Sequence, residues 1–317
     1  MGSRHGRNTR AEREIPRGSQ GRSEQVRRVA LATMSVLGCG LIGGSVALSW
    51  KKAGLVDHVI AFDINEENLK TALEKKVADE CTLSLREAVE KSDIIVVSVP
   101  VKAMESVFAE IGKYLKKGAV VTDVGSTRGS VIAAARKGLG DKFNQYAPAH
   151  PIAGGEMPGV EYADPDLFLN KVVISTPAEG MDPKVVELIT ENWKKAGSKV
   201  QEMTPEEHDR IFASVSHLPH VLAYALVDMI AKEPSAHVKL KMAGAGFRDF
   251  TRIAASSPVM WRDICISNRD AISEELRSYR KELDALQKYI DEGDAQAIER
   301  VFENAMRNRR GLVFPGK

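Results

Sequence analysis

Three cysteines, Cys39, Cys81 and Cys265, are all that 317 residues contain. They are odd in number and far apart, which excludes a disulfide framework and any cysteine-based metal spacing; a reducing compartment is expected, with no metal. No uninterrupted apolar run approaches the roughly 20 residues that cross a bilayer, so no membrane partner is expected. The basic N-terminus lacks the apolar segment of a secretory signal, and a cytoplasmic location follows. Nor is there a charge excess of the kind nucleic-acid binders carry: the formal net charge is +2. Even that excess is local. Residues 1–28 hold eight Arg against three Glu, while the other 289 residues hold 37 basic and 40 acidic groups. Residues 1–28 read as a disordered basic leader, with an Arg-rich transit peptide as the other reading. No internal repeat and no low-complexity segment follows it.

What is there is an alternation. Val29 to Leu37 is a nearly continuous apolar run, suited to a strand buried on both faces. Glycines and a helical stretch to about Lys52 follow. Strands are expected at 58–62, 93–99, 118–124 and 172–175, with helices at 65–75, 102–116, 130–137 and 183–196 between or after them. This is the pattern of an α/β fold, a Rossmann-type doubly wound parallel sheet. Beyond about residue 203 the pattern turns helical. Ile211, Val215, Leu218, Leu222, Leu226 and Met229 form a stripe expected to face the core. Ile272, Leu276, Tyr279, Leu283, Leu286 and Ile290 recur at spacings of 4, 3, 4, 3 and 4, the alternation that predicts a helix packed along another long helix. The division expected is a dinucleotide-binding domain over 29–202, an all-helical domain over 203–310 and a tail over 311–317.

Gly38-Cys39-Gly40-Leu41-Ile42-Gly43 is a G-x-G-x-x-G motif after a strand and before a helix. The next strand ends at Asp63, 20 residues beyond Gly43, as the dinucleotide fingerprint requires. Gly38 permits the turn, Gly40 lets a pyrophosphate approach, and Gly43 lets helix and strand pack closely. The carboxylate of Asp63 suits ribose hydroxyls and repels a 2′-phosphate, so NAD is expected over NADP. Cofactor contacts are assigned to Gly38, Gly40, Leu41, Ile42, Gly43, Asp63 and Pro100.

Four further segments stand out: Asp123-Val124-Gly125-Ser126 after a strand, His150-Pro151-Ile152-Ala153-Gly154-Gly155-Glu156 read as a loop, Ser216-His217-Leu218-Pro219-His220, and Gly244 to Arg252 followed by Met260-Trp261-Arg262-Asp263. Taken singly, each has a plain structural reading. A lone histidine is usually a satisfied residue, and Arg248 and Arg252 suit a solvated face. His217 and His220 share a helix face but lack a third ligand for zinc, and His208 lies too far round to join them.

Taken together, in this order and at these separations, the segments resemble the prephenate/arogenate (cyclohexadienyl) dehydrogenase family of tyrosine biosynthesis. The resemblance covers roughly residues 30–310: G-C-G-L-I-G-G-S at 38–45, D-V-G-S at 123–126, H-P-I-A-G at 150–154, S-H-L-P-H at 216–220, D-F-T-R-I-A at 249–254 and M-W-R-D at 260–263. It implies oxidation of a 4-hydroxycyclohexadiene carboxylate: hydride passes to NAD, CO2 is lost, and the ring becomes aromatic. It also implies roles. His150 takes the hydroxyl proton; Ser126 bonds near the same hydroxyl and fixes the imidazole. Arg252 clamps a carboxylate and His217 orients the substrate. Asp249 holds Arg252 or its loop, Trp261 walls the pocket, and Glu156 stands at the mouth of the site. A homodimer through interleaved long helices is implied, with the site between the two domains.

This chain departs from many relatives in having Gly155 where they carry Thr or Ser, which leaves prephenate against arogenate open. Two other readings remain: a dehydrogenase of the same plan for another hydroxy acid, using a lysine such as Lys239 or Lys241, and a non-catalytic NAD-binding regulator.

Overall fold

The computed structural model describes residues 1–2, 32–155 and 157–312. All but the first two residues of the basic leader, Glu156 and most of the expected tail lie outside the described residues. In order, the elements are β1 (Ala32–Leu37), α1 (Leu41–Lys52), β2 (Val56–Phe62), α2 (Glu66–Glu74), β3 (Glu80–Thr82), α3 (Leu85–Lys91), β4 (Ile94–Val97), α4 (Val101–Tyr114), β5 (Val120–Asp123), α5 (Gly129–Leu139), β6 (Tyr146–Ala147), β7 (Ala149–Pro151), β8 (Val172–Ser175), α6 (Pro183–Lys195) and β9 (Lys199–Glu202). The helical part follows: α7 (Pro205–Phe212), α8 (Leu218–Ala231), α9 (Ala236–Lys241), α10 (Ala245–Thr251), α11 (Pro258–Ser267), α12 (Arg269–Glu292) and α13 (Ala295–Gly311).

Six strands form one parallel sheet in the order β3-β2-β1-β4-β5-β6. Its centre is apolar on both faces because alternate side chains go to opposite layers. In β4, Ile94 and Val96 join the cluster that holds Trp50 and Trp193, and Ile95 and Val97 join the one that holds Phe108 and Ile111. The chain leaves β1 for β2 on one side and reaches β4 on the other. The strand order therefore reverses at β1, and the crevice of an open α/β sheet lies there, beyond the strands' C-terminal ends.

Short elements escaped the sequence pattern. β3, β6, β7 and β9 have two to four residues each and show little alternation. The largest correction concerns His150. It lies not in a loop but in β7, opposite Ile174 of β8, in a second sheet of order β7-β8-β9.

The stripe from Ile211 to Met229 is a second correction. Leu218 is buried, but Ile211, Val215 and Met229 are 42%, 66% and 56% exposed. A turn with π-type bonds, Ala213–His217, joins α7 to α8 and rotates the faces between them. The run Pro205–Ala231 is long and apolar enough, by length and composition, to span a membrane, though little of it is buried. Glu206, Glu207, Asp209, Arg210 and Asp228 interrupt the run with charge. In α12, Ile272 is buried but Leu283 and Ile290 are 46% and 60% exposed. Both stripes thus present apolar side chains outward.

Candidate active site

The glycine turn sits at the C-terminal edge of β1. The Gly38 amide donates to the Phe62 carbonyl at 2.8 Å, and the Ser98 amide to the Leu37 carbonyl at 2.7 Å. Three strand ends are thereby joined. Gly38 has φ +94°, and a Cβ there would meet the Ser98 carbonyl oxygen at 2.6 Å. A Cβ on Gly43 would meet the Gly38 carbonyl oxygen at 2.3 Å. Gly40 differs, since a Cβ there would meet nothing within 4 Å. Two of the glycines are demanded by the protein's own packing, and the third faces open space.

This edge fits a dinucleotide. Gly40 caps α1 without a side-chain acceptor, and the first turn of α1 has no acidic residue. Its amides are left for phosphate oxygens. The Asp63 carboxylate is buried and fixed: it accepts from the amides of Cys39 and Asn65, both at 2.9 Å, and from the Asn68 side chain at 3.3 Å. Pro100 is exposed beside the end of β4, at the start of α4. Burial, and then the Asp63 charge, push the Cys39 thiol up to about 12, so Cys39 is no thiolate nucleophile at neutral pH.

Beyond β5 a compact network shapes the Asp123–Ser126 turn. Arg128 and Asp123 are fully buried. The guanidinium spends its five N–H donors on Asp123, Gly125, Thr176 and Tyr146. Ser126 is half-buried on the turn so held.

His150 is not paired with Ser126. Its Nδ1 lies 2.8 Å from Nε2 of His208, whose Nδ1 lies 2.9 Å from the Asp209 carboxylate. That carboxylate accepts from the backbone amides of Arg128 (2.7 Å) and Gly129 (2.9 Å), so α7 is tied to the start of α5. The Phe212 ring stacks on His208 at 4.3 Å and tilts against His150 at 5.1 Å. Burial, then His208, Arg128 and His217, hold the His150 imidazolium well below the usual histidine range. His208 was the residue sequence reasoning set aside. Its signal was the dipeptide His208-Asp209 in the first turns of a capped helix, a signal too small to read without knowing what faces it.

His217 is buried, with Nδ1 3.1 Å from the Asn268 side-chain nitrogen. Burial is the main reason its pKa falls to about 4. His220, three residues on, occupies the more open position. Its Nδ1 donates to the Ser216 carbonyl at 2.9 Å, and its ring stacks on Trp261 at 3.5 Å. Trp261 also meets His217 edge-on at 6.1 Å, and its buried indole N–H has no partner among the described residues.

A cavity of about 610 Å³ opens where Gly154 and Gly155 face His220, Arg248, Thr251 and Arg252. That size suits a small-molecule ligand. Arg252 is also an electrostatic neighbour of His220. A Cβ on Gly155 would lie 3.1 Å from a terminal methyl of Leu41, which brings the glycine turn and the histidine segment into contact. His150, Ser126 and His217 do not line this cavity; the first and third lie in the adjoining histidine cluster. Asp249 is exposed on α10, three residues before Arg252. Lys239, needed for the other hydroxy-acid reading, is on the surface and paired with Glu233.

A dinucleotide-binding sheet joined to a helical domain, with histidines and arginines gathered near the seam, defines a two-domain oxidoreductase. Residues 46–202 match the family model described as prephenate dehydrogenase, nucleotide-binding domain, and residues 204–304 match prephenate dehydrogenase, dimerization domain. The chain belongs to the prephenate dehydrogenase family. It is 35% identical to the prephenate dehydrogenase of Bacillus subtilis, over 90% of this chain and 77% of that protein. It is 31% identical to the cyclohexadienyl dehydrogenase of Zymomonas mobilis, over 88% and 95%. The prephenate dehydrogenase of Aquifex aeolicus, solved with hydroxyphenyl propionate and NAD+, superposes with a TM-score of 0.84 at 33% identity, covering 90% of this chain and 99% of that one.

Proposed function

We propose that this chain catalyses the NAD-dependent oxidative decarboxylation of prephenate, arogenate or both, in tyrosine biosynthesis. One observation carries the reading: an arginine-walled cavity adjoins a histidine cluster, and both sit on a segment touching the dinucleotide turn. When bound, NAD supplies the hydride acceptor. Gly38, Gly40, Leu41, Ile42 and Gly43 hold its pyrophosphate at the start of α1, Asp63 holds the adenosine ribose, and Pro100 borders the site.

The protein's own groups do the rest. His150, kept neutral by burial, accepts the proton of the ring hydroxyl, and such acid–base help contributes about 10²–10⁴-fold. Ser126 bonds near that hydroxyl. Arg252 clamps a substrate carboxylate, because a guanidinium keeps its charge and binds two oxygens at once. Arg248 adds charge to the same wall, Trp261 and His220 form an aromatic side, and His217 supports them from beneath. Asp249 acts on the loop of α10, and Glu156 at the mouth of the site. Loss of CO2 needs no further protein group: electrons flow into the new carbonyl and the ring becomes aromatic.

The outward apolar side chains of α7, the turn after it, α8 and α12 support a homodimer, formed through the region that matches the dimerization domain. The domain division at about residue 202 and a cytoplasmic location belong to the same reading. The direct test adds NAD and prephenate, then NAD and arogenate, and follows NADH absorbance. NADH formation with either substrate is the expected result; none with both, in protein that binds NAD, rejects the reading.

A further inference from the structure

The contacts of His150 decide which of its nitrogens carries the proton. Asp209 forms an acceptor-only carboxylate. Burial opposes its charge, but bonds from His208 and from the Arg128 and Gly129 amides outweigh that and hold its pKa below the usual range. His208 Nδ1 must therefore donate to it. Burial keeps His208 neutral, against a smaller pull from Asp209, so its Nε2 is a bare lone pair. At 2.8 Å from that lone pair, His150 Nδ1 must be the donor. A neutral His150 with its proton on Nδ1 has a bare Nε2. This is the atom that receives a substrate proton.

We infer that His208 and Asp209 are positioning residues that lock His150 in the Nδ1–H tautomer and stabilise the imidazolium formed when its Nε2 takes the hydroxyl proton. The inference deepens the dehydrogenase reading and rests on it for the substrate. In the step, the substrate O–H bond breaks and an N–H bond forms at His150 Nε2. The new positive charge then faces His208 and, through it, the ionised Asp209. Arg128 and His217 face His150 as well; the guanidinium opposes its charging, and Asp123 tempers the same guanidinium at His208. Asp209 is the only carboxylate bonded along this line among the described residues. Because it is seated on the amides that follow the Ser126 turn, the same contact sets the register between the helical part and the cofactor sheet.

The test reads the tautomer directly. Full-length protein labelled with ¹⁵N at histidine, at pH 7.5 without substrate, shows His150 as Nδ1–H with a bare Nε2. In His208→Leu the signal moves toward the Nε2–H form favoured by free imidazole. In His208→Gln, whose amide oxygen can still accept, the Nδ1–H form is kept. With prephenate and NAD, His208→Leu lowers kcat about tenfold to a hundredfold with KM within twofold, and His208→Gln recovers part of the loss. Asp209→Asn can reverse both bonds and put the proton on His150 Nε2, as an asparagine does in serine-protease triads; a circular dichroism melt checks its fold. An Nε2–H His150 in the wild type, or one unchanged by His208→Leu, overturns the inference. Absence of NADH with both substrates overturns the dehydrogenase reading instead, since the tautomer is read without turnover.

Discussion

Arg128 grips both carboxylate oxygens of Asp123, at 2.7 and 2.9 Å, with neither side chain exposed. The pair sets the Gly125–Ser126 turn, because the same guanidinium holds the Gly125 carbonyl at 2.9 Å. Arg128→Met leaves Asp123 charged and buried with only the Tyr146 hydroxyl and the Gly125 amide to satisfy it. Breaking a buried pair this way costs about 3–5 kcal/mol. Tyr146→Phe, which keeps the ion pair, costs about 1 kcal/mol. Urea unfolding of the two variants gives this order; equal losses would mean the pair is not what holds the turn.

The glycines of the cofactor turn separate by role. Gly43→Ala places a methyl 2.3 Å from a backbone oxygen, so it lowers the melting temperature whether or not NAD is present. Gly40→Ala meets no protein atom within 4 Å and melts like the wild type, but its Kd for NAD rises at least tenfold. Calorimetric titration alongside thermal melts checks both. Unchanged NAD affinity in Gly40→Ala removes the cradle assignment.

On the proposed reading, selectivity for NAD over NADP rests on Asp63. Asp63→Ala should narrow the preference for NAD over NADP, mostly by weakening NAD, and also loosen the turn, since the carboxylate holds the Cys39 amide. Dissociation constants for both dinucleotides, measured by fluorescence quenching, decide it.

His150 and Arg252 should fail differently. His150→Asn lowers kcat about 10²–10⁴-fold with little change in KM. Arg252→Gln raises KM for prephenate by one to two orders of magnitude and changes kcat less. Steady-state kinetics resolve the two. A kcat defect alone in Arg252→Gln contradicts its role as a clamp.

Acid sensitivity follows from the histidine cluster. His217 titrates at about 4 when folded and near 6.5 when unfolded. The unfolded chain takes up the proton first, so stability from the neutral ring is complete above about pH 6.5 and is lost as pH falls towards 4. The difference amounts to about 3 kcal/mol. His150 and His208, also lowered by burial, add in the same direction. Melting temperatures recorded from pH 7.5 to 5 should fall, and less steeply in His217→Asn.

Local chemistry accounts for much of what was legible in advance. The Gly38–Gly43 turn, the Asp63 terminus and the long strands are readable because each is specified by neighbours in the chain: a glycine where backbone meets backbone, an apolar run where both faces are covered. Arg252 and the Gly154–Gly155 loop were also marked by their motifs. The tertiary structure alone decided the partner of His150, since His208 lies 58 residues away and only the docking of α7 on the start of α5 brings the rings together. It also placed His220 on the cavity and left His217 buried beneath it against Asn268 and Trp261. The stripe from Ile211 to Met229 has helical periodicity whichever surface it meets. Periodicity records which residues share a face, and only packing determines what that face is packed against.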